Sequence, residues 1–163
     1  MGQEGRTLIL GLGNPILGDD GVGIAIARVI RSRWPADSSI DVLEASLAGR
    51  FLLDVICGYQ TVVIADAIIT GEYTPAGSIH RLTPDDLGTI VNPYASHALD
   101  LRTAIELGKQ LGYEMPDTIR IYAVEIKENT TFREGLSPEV EAAVAPVARS
   151  IMEDLEKAAT RSE

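Results

Sequence analysis

Thr61-Val62-Val63-Ile64-Ala65-Asp66 is an almost unbroken apolar run, rich in β-branched side chains and ending in a carboxylate. Such a run fits a parallel strand at the centre of a sheet, buried on both faces. Upstream, Thr7-Leu8-Ile9-Leu10-Gly11 predicts a first strand and Ile40 to Leu43 a second. Between them lies a predicted helix from about Gly21 to Trp34, stopped by Pro35. It is apolar nearly all round, through Val22, Ile24, Ala25, Ile26, Ala27, Val29 and Ile30, so heavy burial is expected. Leu47 to Gly58 reads as a second helix, with Leu52, Val55 and Ile56 at helical spacing.

Downstream, a turn-rich segment from Thr70 to Gly77 leads to a short alternating strand around Ser78 to Leu82. Its alternation places it near a sheet edge, with His80 solvated. Ser96 is the predicted N-cap of a helix from Ala98 to Leu111 that buries Leu99, Ile105, Leu107 and Leu111. Ile119 to Val124 is the next strand. The last helix has an N-cap in Ser137, a first residue in Pro138 and two dipole-matched acids in Glu139 and Glu141. It runs through Ala142, Val147, Ile151 and Leu155 into a polar tail expected to fray over roughly 157–163. The order β-α-β-α-β-β-α-β-α predicts one α/β domain over 1–163. The expected architecture is a doubly wound three-layer sandwich: a twisted, mostly parallel sheet of about five strands with helices on both faces.

Composition sets the partners. The chain has 163 residues, 45% of them hydrophobic and 23% charged, as in an ordinary globular domain. Lys and Arg number 14 against 24 Asp and Glu, a formal net charge of −10. Clustered cations drive binding to polyanions by counterion release, so neither nucleic acid nor an anionic membrane surface is an expected partner. No stretch has the ~18 apolar residues of a membrane helix, and the N-terminal stretch lacks a secretory pattern. The single cysteine, Cys57, permits no internal disulfide and reads as a small buried core residue. The cytoplasm is the expected compartment.

Chemistry concentrates after the first strand, in Gly11-Leu12-Gly13-Asn14-Pro15-Ile16-Leu17-Gly18-Asp19-Asp20-Gly21-Val22-Gly23. Ile16 stands where a dinucleotide fingerprint needs glycine, and no Gly-Lys-Ser/Thr of a P-loop is present. One of Asp19 and Asp20 is expected to cap the following helix. The other then faces the crevice beyond the strand ends, where open α/β sheets bind ligands. Asp66 lies on the same rim by topology. His97 opens a helix, where the positive dipole end favours the neutral, ligating imidazole. Asp20, Asp66 and His97 thus form a candidate set, and mixed N/O ligation with open positions suits nickel, zinc or a similar divalent metal. No HExxH motif, Gly-x-Ser-x-Gly elbow or Cys/His pair supports a conventional protease class.

GLGNPILGDDGVG, VVIADA, SHALDLRTAIELGKQLG and GLSPEV occur in order across nearly the whole chain. Together they resemble the nickel–iron hydrogenase maturation endopeptidases. The resemblance implies an α/β protease that removes a C-terminal extension from the hydrogenase large-subunit precursor once nickel is installed. It also implies metal-interacting and catalytic roles for Asp20, Asp66 and His97, with the nickel supplied by the precursor. Ala123-Val124-Glu125-Ile126 departs from the Gly-Ile/Val-Glu-Pro of many relatives. A nickel-dependent precursor-binding chaperone would use the same three residues. Peptidyl-tRNA hydrolases share the GLGNP opening, but their early histidine is missing here, where the first histidine is His80.

Overall fold

The computed structural model describes residues 3–36, 38–46, 50–71, 73–89 and 101–161. Five strands form one sheet: β1 (Gln3–Leu12), β2 (Ile40–Ala45), β3 (Tyr59–Ile68), β4 (Ile79–Leu82) and β5 (Thr118–Glu125). Among the described residues, four α-helices accompany them: α1 (Val22–Arg33), α2 (Arg50–Ile56), α3 (Leu101–Gln110) and α4 (Pro138–Arg161). The strand order is β2-β1-β3-β5-β4, parallel throughout except for β4, which runs antiparallel to β5 at the edge. The expected α/β sandwich is therefore the observed one.

Side-chain alternation along the strands sends successive residues to opposite faces. Ile9, Val63, Ala65, Tyr122 and Val124 meet α1 and α4 in one apolar cluster. Leu8, Leu10, Val62, Ile64, Ile121 and Ala123 meet α2 and α3 in the other. The central run identified from sequence is buried from Val62 to Ile68. The connection from β1 to α1 is held by a backbone approach that only glycine allows. A side chain at Gly23 would run into the carbonyl oxygens of Leu12 and Ala65, and one at Gly11 into the backbone of Gly23. α1 therefore lies directly on β1 and β3, which fixes the loop between strand and helix.

Three local expectations differ. α3 buries Leu101, Ala104 and Gly108, while Leu107 and Leu111 are exposed. Gly108 faces Leu53 of α2 and Met115, so the small residues mark the contact face and the leucines are turned outward. Cys57 is only half-buried, because the chain passes beyond α2 there and turns through Gly58 at φ 83°. The C-terminal segment expected to fray is helical through Arg161. The predicted starts of α2 at Leu47 and of α3 at Ser96 and Ala98, with Leu99, lie outside the described residues. Among the described residues, no helix is long and apolar enough to cross a membrane.

Candidate active site

β1 and β3 are neighbours, yet the chain leaves them toward opposite faces. α1 covers the face of Ile9 and Val63, whereas α3, reached after β3 and β4, covers that of Leu10 and Ile64. Divergence of this kind opens a crevice beyond the carboxyl ends of the strands. Among the described residues, the buried polar or charged residues are Asp20, Asp66 and Glu125. They sit after β1, near the end of β3 and at the end of β5, three consecutive strands of the sheet. Burying a carboxylate is costly unless it is hydrogen-bonded, so three at one rim mark the place where the fold tolerates charge.

Asp20 is 2% exposed and accepts the Asn14 N–H at 2.9 Å on Oδ2. It lies in a 3-10 turn, Gly18–Gly21, that packs against β3. Gly13 belongs here because a side chain at its φ of 146° would strike the Asp20 carbonyl. The expectation that Asp19 or Asp20 caps α1 is corrected: Gly21 holds that position with no side-chain cap. A capping residue must flank the helix in non-helical geometry, and both aspartates are already wound into the 3-10 turn. Asp19 instead binds the residue that precedes α4. Its carboxylate accepts Ser137 N–H at 2.6 Å and the Ser137 hydroxyl at 2.8 Å, and Arg133 stands 3.5 Å away. The loop carrying Asp20 is thereby tied to the start of α4. Backbone bonds from Arg133 N–H to Ile16 O at 3.0 Å and from Gly18 N–H to Arg133 O at 2.8 Å reinforce that tie.

Asp66 is fully buried and accepts the Ala67 N–H at 2.8 Å on Oδ1. It does not end its strand as the sequence suggested, because Ala67 and Ile68 still pair with Val124 and Glu125. Its place in the alternation, between Ile64 and Ile68, puts it on the α2/α3 face. The 3-10 turn of Asp20 and the strand of Asp66 are packed together. His97 lies outside the described residues, and no group of three His, Cys, Asp or Glu able to hold a metal occurs among those that are described.

Glu125 and His80 were not singled out from sequence. The solvated reading of His80 is corrected: its Nε2 is 3.0 Å from Oε2 of the fully buried Glu125. The signal was available, since Glu125 comes after the apolar residues Ile121 to Val124 much as Asp66 comes after Val62 to Ala65. What the sequence did not reveal was that edge strand β4 sets His80 opposite Ala123, beside Glu125 and on the same face.

A sequence profile described as hydrogenase maturation protease matches residues 24–154. The chain belongs to that family. It is 28% identical over 148 residues to the hydrogenase 2 maturation protease of Escherichia coli (strain K12), covering 90% of this chain and 88% of the relative. The solved hydrogenase maturating endopeptidase HybD from E. coli superposes with a TM-score of 0.78 at 27% identity, over 94% of this chain and 93% of that one. The [NiFe] hydrogenase maturation protease HycI from Thermococcus kodakarensis KOD1 shares the fold, with a TM-score of 0.69 at 23% identity over 93% and 92% of the two chains. Family membership makes the chain an endopeptidase of the hydrogenase maturation class. The profile spans Asp66 and His97 and begins just after the loop of Asp20.

Proposed function

We propose that this hydrogenase maturation protease acts in the cytoplasm on a nickel–iron hydrogenase large-subunit precursor and removes its C-terminal extension after nickel insertion. Nickel, or another divalent metal in its place, arrives as part of the substrate. Asp20, Asp66 and His97 grip that centre and act on the peptide bond it brings into the crevice. Two carboxylates and a neutral imidazole form an N/O set suited to a borderline divalent cation. The observation that carries this reading is the burial of Asp20 and Asp66 at the switch point between β1 and β3. A buried carboxylate is poised to take a proton from water as the water oxygen attacks the scissile carbonyl. The proton passes to the leaving amine as the C–N bond breaks, giving a new C-terminal carboxylate and a released peptide.

Intact-mass analysis of nickel-loaded and metal-free precursor, each incubated with the protein, tests the proposal. Loss of one defined C-terminal peptide from the loaded precursor alone is expected, and Asp66→Asn or His97→Ala should abolish it. A stable complex with unchanged mass would instead make the protein a nickel-dependent binding chaperone.

A further inference from the structure

Glu125 is the third buried carboxylate of the rim, and the function proposed above gives it no part. All its polar groups are engaged with one segment. Its N–H donates to Ser78 O at 2.8 Å and its carbonyl accepts Gly77 N–H at 2.8 Å. Oε1 accepts Thr70 N–H at 2.9 Å, while Oε2 accepts the Thr70 hydroxyl at 2.9 Å and lies 3.0 Å from His80 Nε2. Thr70 stands where the chain leaves β3, and Gly77, Ser78 and His80 where it enters β4. One residue therefore clasps both ends of the same loop.

The clasp stands beside Asp66. Asp66, Ala123 and His80 form a row across β3, β5 and β4, all on the α2/α3 face, with only a methyl group in the middle position. Glu125 is two residues further along β5, opposite Ile68. Backbone bonds to Gly77 and Ser78 already close the loop at one end. The buried charge adds charge-assisted bonds, which are shorter and more directional than neutral ones. Their effect is to fix geometry at the end of β3 rather than merely to join strands.

We propose that Glu125 is a positioning residue for cleavage: it holds Thr70 at the end of β3, and Gly77, Ser78 and His80 at the start of β4, as a fixed wall of the crevice next to Asp66. This rests on the endopeptidase function proposed above. A wall held rigid keeps the scissile bond and Asp66 in one relative placement, and small misplacements of that kind cost rate rather than binding.

Glu125→Ala and Glu125→Gln, assayed on nickel-loaded precursor well below their melting temperatures, separate positioning from stability. Glutamine keeps an oxygen for Thr70 and an amide donor for the His80 ring. Glu125→Ala is expected to lower kcat on the order of tenfold to a hundredfold with KM little changed, and Glu125→Gln to restore most of it. Amide exchange over 70–77, read without precursor, should rise in Glu125→Ala and stay near wild type in Glu125→Gln. If Glu125→Ala does not fold, Thr70→Val removes a single hydroxyl donor and should still lower kcat several-fold at unchanged KM. A folded Glu125→Ala with wild-type kcat would overturn the proposal, as would a Glu125→Gln as slow as the alanine variant. Failure of the wild-type protein to cleave any loaded precursor would instead overturn the function on which it rests, and the proposal with it.

Discussion

On one face of the sheet, Ile9, Val63, Ala65 and Val124 meet α1 and the 24-residue α4 in an apolar layer. On the other, Leu10, Ile64 and Ile121 give way at the C-terminal end to Asp66 and Glu125, under the shorter α2 and α3 of 7 and 10 residues. The same strands supply both faces, so composition does not distinguish them; their coverings do. The long α4 buries Val140, Val144, Val147 and Ile151 along its length as a continuous apolar covering. The buried carboxyl groups of β3 and β5 therefore lie on the α2/α3 face.

The largest effect should come from the second face. Asp66→Asn is expected to lower precursor processing by roughly 10²–10⁴-fold while shifting the melting temperature little, as quantitative intact-mass time courses and calorimetry would record. Comparable losses of stability and activity would erase the distinction between the faces. The converse test is Ile151→Ala on α4, a fully buried side chain. It should cost about 2–5 kcal/mol in denaturant unfolding, with the turnover of the folded fraction unchanged.

Asp19 joins the two regions, since it sits in the loop of Asp20 and binds the start of α4. Asp19→Ala should cost about 1 kcal/mol of stability, as the loss of a hydrogen-bonding side chain does, and also slow processing by loosening the Asp20 turn. An effect on stability alone would show that the loop does not depend on its tie to α4. The smallest effect belongs to Tyr122, on the α1/α4 face. Burial first, then the hydrogen bond to Asp154, pushes its phenol up to about 12. The neutral form is thus favoured by folding. Its contribution is intact below pH 10 and declines as pH rises from there toward about 12. Tyr122→Phe should flatten the alkaline limb of a stability–pH curve without touching processing.

Asp20 and Asp66 could be found in the sequence because one follows an apolar strand and the other interrupts one near its C-terminal end, and in a parallel sheet those ends share one rim. Glu125 obeys the same rule at the end of β5, but its partners come from a loop and from the edge strand, at positions 70 and 80. His80 looked solvated because alternation along β4 says which face a residue takes and not what waits there. Capping failed for a local reason: a 3-10 turn carries Asp19 and Asp20 inside helical geometry. Asp19 then finds its donors 118 residues away.

Hydrophobic periodicity by itself determined the strand and helix order, the α/β class and the central place of β3, since those depend on local spacing and on which runs must be buried. The motifs along the chain determined the family. Tertiary structure alone decided which carboxyl groups are buried, which segment Asp19 binds and what Glu125 holds. Hydrogen bonds between residues 45, 55 and 118 positions apart form only when the fold brings those segments together.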